Sequence, residues 1–473
     1  MTRVFVHMLI LGFSICLSFG GALEITDKLT NILPLFDNAI RSLEKDFTKD
    51  WVYKDLFDSP ETLGVTPDLL AKSVANVGSE KRLRKILVKA LEGDTLDMVI
   101  LGGSISRGAP FSERGGLDFR IYFHAIVQWW NHVFSTISNS KLVARSISIG
   151  GIGTDYYSYC LTPHLPEDTR PTIFLWELAA NDRGRYDDKP FPRAQPLEQL
   201  TRNILLRPSK PVLLYANFFR GNDYIQRKCM NFEDEGGQKI AENYMITSIS
   251  WRDFVCDNLN QGLGGFRMRE LFADDILHPN IKGHAQMAYL LIHHIQSEFL
   301  RMLRSHAVHT PSLPVFKEEV WSVGDMFIPS IIYHETSTKA PLCLTYFYND
   351  NKVPNNTLVA EIINKDDFHY NVYKKFKLRG DQLGGLQTNF SEQLLTYSIQ
   401  IERAECRLVL VTHTGTGSAQ VWVDDKTPVA IETMNYHMGT KLEIVATNMV
   451  AGKHMLNILS LKGGFAVSGI AVI

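Results

Sequence analysis

The chain has 473 residues, of which 45% are hydrophobic and 21% charged, and its formal net charge is −2. That length suggests about two or three domains. The composition is ordinary for a globular protein, and it lacks the overall basic footprint of a nucleic-acid-binding protein.

The first 22 residues read as a signal peptide. Thr2-Arg3 give a small basic start, "VFVHMLILGFSICLSF" is an apolar run, and "GGA" supplies small residues for cleavage near Ala22. The run is near the short limit for a membrane span, and no later segment is apolar enough to cross. The expectation is a secreted or lumenal protein with no stable membrane insertion after cleavage.

Residues 23–92 read as a helical lead-in packed on the domain that follows. At its end, "EKRLRKILVKALEG" places Leu83, Ile86, Leu87, Ala90 and Leu91 on one helix face. Strands and helices then alternate through residues 93–305. "DMVILGG", "LVARSISIGG", "PTIFLWELAAND" and "KPVLLYANFF" read as strands; "LDFRIYFHAIVQWWNHVF" and "NIKGHAQMAYLLIHHIQSEFLRML" read as helices. Apolar strands between helices indicate a parallel sheet covered on both faces.

Residues 306–318 read as a linker carrying two prolines in "HTPSLPVFKEE". Residues 319–473 change texture. Short strand-like runs such as "LCLTYFYND", "CRLVLVTHT", "AQVWVDD" and "FAVSGIAVI", several separated by turn signals, predict an all-β sandwich.

Six cysteines are present; Cys16 lies in the leader, leaving Cys160, Cys229, Cys256, Cys343 and Cys406. Secretion favours pairing. Shared domain membership suggests Cys229–Cys256 and Cys343–Cys406, with Cys160 as the odd thiol. Sequons at Asn355 ("NNT") and Asn389 ("NFS") make these two asparagines candidate glycosylation sites.

The stretch "VILGGSISRG", Val99 to Gly108, ends a strand on two glycines and a serine. It lacks the lysine of a phosphate loop and the glycine two residues after serine of a nucleophile elbow. Taken alone it leaves Ser104 as a turn residue or a nucleophile at a strand's carboxyl end, where open α/β sheets bind ligands. Three other stretches end apolar runs on polar residues: "SIGGIGTD" with Gly151, "ELAAND" with Asn181, and "DDILHPNIKGH" with Asp275 three residues before His278.

Chemistry unites these residues. A serine hydroxyl needs an adjacent base, which His278 can supply. A carboxylate, Asp275, can fix the imidazole tautomer. An oxyanion needs preorganised donors, and the backbone N–H groups of Ser104 and Gly151 with the Asn181 side-chain amide can provide them. Gly102-Gly103 would then leave room where an acyl group approaches.

In this arrangement the chain resembles the SGNH (GDSL-type) hydrolase family over roughly Met98 to Leu303. The family's four marker residues map onto Ser104, Gly151, Asn181 and His278, with Asp275 as the acid of its D-x-x-H-P segment. The resemblance implies a flavodoxin-like three-layer α/β/α domain with about five parallel strands. The chain departs from the family at two points. Gly102-Gly103-Ser104 stands where the family has Gly-Asp-Ser, and Ala179-Ala180-Asn181-Asp182 where it has Gly-x-Asn-Asp.

Other residues stay open. Asp274 is a rival acid to Asp275. Asp182 could orient Asn181 or solvate a loop. Glu177 is a charge in an apolar strand that could pair with Arg107 or Arg183, or floor the site. His293 and His294 are adjacent on a helix and so face apart, and a metal site is not expected. Trp422 alternates with Val421 and Val423, so it belongs to the polar phase of its strand. It is either a sugar-stacking platform or a covered side chain.

The reading is a secreted serine ester hydrolase that needs no metal or organic cofactor. It cuts an O-acyl ester, with acetyl on carbohydrate favoured by analogy; the substrate is thus an acylated small molecule, lipid or carbohydrate, and no nucleic acid. The alternatives are acyl transfer to a sugar, lipid or short-chain ester hydrolysis, and a non-catalytic carbohydrate- or matrix-binding protein.

Overall fold

A computed structural model of the chain describes residues 36–109, 120–166, 168–182, 194–309, 341–347, 354–372, 384–413, 417–433, 440–462 and 464–473. The expected leader with its cleavage point at Ala22, and positions 310–318 of the expected linker, lie outside the described residues. Residues 306–309, expected in that linker, instead continue the helix Ile281–His309.

The first sheet has six strands: β1 (Val74–Asn76), β2 (Thr95–Gly102), β3 (Lys141–Ser146), β4 (Ile173–Glu177), β5 (Val212–Asn217) and β6 (Thr247–Ser250). Their order is β1-β6-β5-β4-β2-β3. β3, β2, β4, β5 and β6 run parallel to their neighbours, while β1 adds antiparallel to β6. The chain moves from β2 outward to β3, then returns to the other side of β2 for β4. The strand order therefore reverses at β2, and such a switch point opens a crevice at the strands' carboxyl ends.

Alternation along the strands builds two cores. Met98, Ile100, Ile173, Leu175 and Leu214 point to one face, which is covered by helices Glu80–Leu91, Tyr122–Ser135, Trp251–Asn260 and Ile281–His309. Val99, Leu101, Phe174, Trp176 and Leu213 point to the other, covered by Thr154–Cys160, Gln195–Leu205 and Gln238–Asn243. Both faces are covered, so the central strands are mostly apolar along their length, with polar residues such as Glu177 and Asn217 at their carboxyl ends. The expected face of Glu80–Leu91 is the buried one: Leu83, Ile86, Leu87, Ala90 and Leu91. Among the described residues, no helix is long and apolar enough to cross a membrane.

The C-terminal part is an all-β sandwich. One sheet contains β7 (Leu342–Thr345), β9 (His369–Val372), β10 (Gly384–Thr388), β12 (Cys406–His413), β15 (Thr440–Met449) and β17 (Phe465–Val472), in the order β15-β12-β17-β10-β9 with β7 also on β17. The other is β14 (Val429–Glu432), β13 (Ser418–Val423), β16 (Gly452–Lys462), β11 (Leu394–Ile401) and β8 (Ala360–Asn364). Leu408, Leu410, Ile470 and Val472 face the sandwich interior with Val421, Val423, Leu456 and Ile458. Val409, Val411, Ala471 and Ile473 face outward, into the apolar cluster around Tyr156 and Tyr157 of the first domain. The sandwich therefore packs flat against the helix Thr154–Cys160.

This packing corrects the expected cysteine pairing. Cys160 joins Cys343, and Cys229 joins Cys256 as expected, while Cys406 is a buried thiol. The reason is strand alternation. Leu342 and Leu344 contact the sandwich core that holds Cys406, so Cys343 points the other way, toward the first domain. Beside the bridge, the hydroxyls of Tyr156 and Thr345 hydrogen-bond at 2.7 Å.

A non-reducing peptide map should join Cys160 to Cys343 and Cys229 to Cys256, with Cys406 alkylated only after unfolding. A Cys343–Cys406 link would contradict this assignment. The paired change Cys160→Ser with Cys343→Ser should lower unfolding free energy by about 2–4 kcal/mol in chemical denaturation.

Candidate active site

β2 ends at Gly102, and Ser104 opens a single helical turn, Ser104–Arg107, closed by a bond from Arg107 N to Gly103 O at 3.0 Å. Ser104 thus stands at the switch point, at the carboxyl edge of the sheet. Glycine is needed at position 103: a Cβ there would lie 2.1 Å from Asn181 Nδ2. The space gained by Gly103 is filled by the Asn181 amide rather than left for an acyl group, which corrects the expected role of this glycine.

The other candidates converge on the same edge. Gly151 lies in the turn after β3 with φ +77°, in the left-handed region that favours glycine. Asn181 lies in the turn after β4, and its Nδ2 donates to Ile152 O at 2.6 Å. That bond ties the two turns together across the top of β2.

Asp275 and His278 approach from the loop before the helix Ile281–His309. Ile276, between them, adopts φ +58°, uncommon for a β-branched residue. Around this bend the Asp275 carboxylate accepts from Leu277 N at 2.9 Å and His278 N at 3.0 Å through one oxygen. Its other oxygen meets His278 Nδ1 at 2.5 Å, and His278 Nε2 meets Ser104 Oγ at 2.7 Å. Asp275, and not Asp274, therefore holds the ring. Partial burial pushes the Asp275 carboxyl up, but the bonds and charge of His278 outweigh it and the net shift is downward. A lowered carboxyl stays ionised beside the imidazole. It favours the tautomer with hydrogen on Nδ1 and leaves Nε2 to accept the serine proton.

Two buried carboxyls brace this edge. Asp182 is buried rather than exposed in a loop. It accepts from Thr154 N at 2.6 Å and also from the Thr154 hydroxyl, fixing the start of the helix that follows Gly151. Glu177 accepts from Ser106 N at 3.1 Å and Ser106 Oγ at 2.7 Å, and from the backbone of Gly103. Tyr122 OH lies 2.9 Å from Ser106 Oγ on the far side. Arg183, one suggested partner, lies outside the described residues. Burial pushes the Glu177 carboxyl up to about 8 even against these hydrogen bonds, and nearby Asp182 adds to the rise.

Sequence reasoning missed Ser106, Tyr122 and Thr154 as supporting residues. Serine two positions after Ser104 was the available signal for the first. His293 stacks on Tyr289 with centroids 5.9 Å apart, and His294 is buried and pushed down to about 4 by burial. Among the described residues, no group of three or more histidine, cysteine or acidic side chains is placed to hold a metal ion. Trp422 is half-buried on the outer face of the second sandwich sheet, opposite Asn457. Asn355 and Asn389 are exposed.

The fold and site define the class: an α/β domain with a serine, a histidine and a carboxylate in one hydrogen-bonded row, followed by a β-sandwich. No protein-family model and no curated protein sequence matches the chain. Two solved structures of a two-domain esterase active on acetylated mannans, one co-crystallised with mannopentaose, are similar to it. Each is 17% identical and aligns over 85% of this chain and 97% of the other, with TM-scores of 0.55 and 0.56. At that identity the likeness is one of fold, and it extends through both domains.

The raised Glu177 carboxyl predicts a pH dependence of stability. Its folded value of about 8 exceeds its ordinary 4.5, so above pH 4.5 the unfolded chain releases this proton more readily than the folded one. The associated stability is complete below pH 4.5 and declines as pH rises toward 8. Denaturation at about pH 5 and about pH 8.5 should reveal this decline, on the order of a few kcal/mol. Glu177→Gln should remove this component. An unchanged decline in Glu177→Gln would contradict the assignment.

Proposed function

We propose that the protein is a secreted SGNH-type serine esterase that removes acyl groups, acetyl foremost, from carbohydrate esters. The observation that carries this reading is the row Ser104 Oγ–His278 Nε2 at 2.7 Å and His278 Nδ1–Asp275 Oδ2 at 2.5 Å. Ser104 Oγ attacks the ester carbonyl while His278 Nε2 takes its proton. The oxyanion is held by the N–H groups of Ser104 and Gly151 and by the Asn181 amide. His278 then gives the proton to the departing alcohol oxygen, leaving an acyl-serine. Water, deprotonated by His278, attacks that ester; the acid departs and Ser104 regains its proton. Asp275 stabilises the imidazolium at each half-reaction. No step in this sequence draws on a metal or organic cofactor.

The carbohydrate assignment is supported by the two-domain esterase of similar fold, whose described activity is on acetylated mannans. Secretion is supported by the leader, by two disulfides among the described residues, and by the exposed sequons at Asn355 and Asn389, which we assign as glycosylation sites. A domain limit after the helix Ile281–His309 completes the proposal; of the expected lead-in, residues 36–92 belong to the first domain, with β1 in its sheet and the helix Glu80–Leu91 on its face.

A fluorophosphonate probe should label the wild-type protein and fail to label Ser104→Ala. Labelling that survives in a folded Ser104→Ala protein would assign the chemistry to another residue. Asn181→Ala should lower kcat by about 10²–10³ with the melting temperature little changed; unaltered turnover would remove Asn181 from the oxyanion hole. Initial rates on aryl esters of rising acyl length, beside acetylated mannan, should favour acetyl and the polysaccharide. A preference for long acyl chains would point to lipid esters instead.

A further inference from the structure

The proposed reaction gives no task to the buried acid beside the Ser104 turn. Glu177 ends β4 next to Gly102 of β2, is 1% exposed, and has Ser106 and Gly103 as its hydrogen-bond partners rather than a charged group. Burying an ionisable carboxyl is costly, and an amide or apolar residue would fill the same strand end at lower cost. Its partners indicate why it is there. The groups that donate to it, the N–H of Gly103 and the N–H and hydroxyl of Ser106, flank Ser104 on both sides.

We infer that Glu177 is a positioning residue for the nucleophile: its carboxyl clamps the turn Gly103–Ser106 from beneath, and so fixes both the Ser104 hydroxyl facing His278 and the Ser104 N–H proposed to face the oxyanion. This rests on the reading of Ser104 as the nucleophile. Tyr122, reaching Ser106 Oγ at 2.9 Å from the helix Tyr122–Ser135, holds the clamp from the other side. A carboxyl suits the task because one of its oxygens accepts from both the N–H and the hydroxyl of Ser106 while its size is small. Glutamine retains the shape but turns an NH2 toward one of the donors. Aspartate retains the acid but falls one methylene short.

The clamp has little influence on how substrate binds in its ground state and a large one on the alignment of nucleophile and oxyanion donor in the transition state. A misplacement of about 1 Å at such a point costs about 10²-fold in rate. The test is kcat and KM on an aryl acetate for wild type, Glu177→Gln, Glu177→Asp, Ser106→Ala and Ser104→Ala, with melting temperature and fluorophosphonate labelling rate measured on each. Glu177→Gln and Glu177→Asp should each lose about 10²-fold in kcat and in labelling rate, with KM within about threefold of wild type. Ser106→Ala, which removes one donor and keeps the two backbone N–H groups, should lose about tenfold in kcat at constant KM.

Folded Glu177→Gln and Glu177→Asp proteins with wild-type kcat would overturn the inference. Where either fails to fold, Ser106→Ala decides: wild-type kcat overturns it, and a selective fall in kcat supports it. The controls separate the two readings. An inactive wild type, or an active Ser104→Ala, overturns the serine mechanism and this inference together. Correct controls with full activity in the Glu177 and Ser106 variants overturn this inference alone.

Discussion

A single hydrogen bond of 2.7 Å, from Ser104 Oγ to His278 Nε2, joins residues 174 positions apart, and the rest of the first domain is arranged to make it. Ser104 is placed by β2 at the point where the sheet's strand order reverses. His278 is placed by the loop before the helix Ile281–His309, whose apolar side is buried on one face of that sheet. Each partner is set by burial of large side chains, a non-directional force. The last ångström comes from directional contacts: the bend at Ile276, the two backbone N–H groups on Asp275, and the glycine at 103 that admits Asn181.

The polar support under this edge is built from carboxyls that work in opposite electrostatic settings. Asp275 is partly exposed and faces an imidazole, and its proton is held weakly. Glu177 is sealed beneath the Ser104 turn, and its proton is held strongly. Asp182, between them in the chain, fastens the start of the helix after Gly151. That helix ends at Cys160, which is bonded to Cys343 of the sandwich. The second domain is therefore fixed to the same helix that begins beside the Gly151 turn. It is not a module hanging on a free tether.

The sequence carries the large features because their physics is local. Apolar runs bounded by glycine and polar residues mark β2, β3, β4 and β5, and the face of Glu80–Leu91 is written in its spacing. Short strands such as β1, β6, β9, β10 and β14 escape such reading. "TSIS" of β6, for example, has one large apolar residue and is buried only because neighbours cover it. Ser104, Gly151 and Asn181 could be proposed because each follows an apolar run at a strand's end, and Asp275 and His278 because they stand three positions apart just ahead of the last long helix. What remained illegible depends on contacts between distant segments. The facing of Cys343 needs the placement of β7 against the first domain. The partners of Asp182 and Glu177 need the register of β2 beside β4, and the role of Gly103 needs the position of Asn181.

The central claim is that Ser104 forms a covalent acyl intermediate. Mass spectrometry on protein quenched during turnover of an aryl acetate addresses it most directly. The account predicts an acetyl group on the peptide containing Ser104, absent in Ser104→Ala and accumulating when water attack is slowed. Steady release of acetate with Ser104 unmodified, or an acetyl group on a different residue, would contradict it.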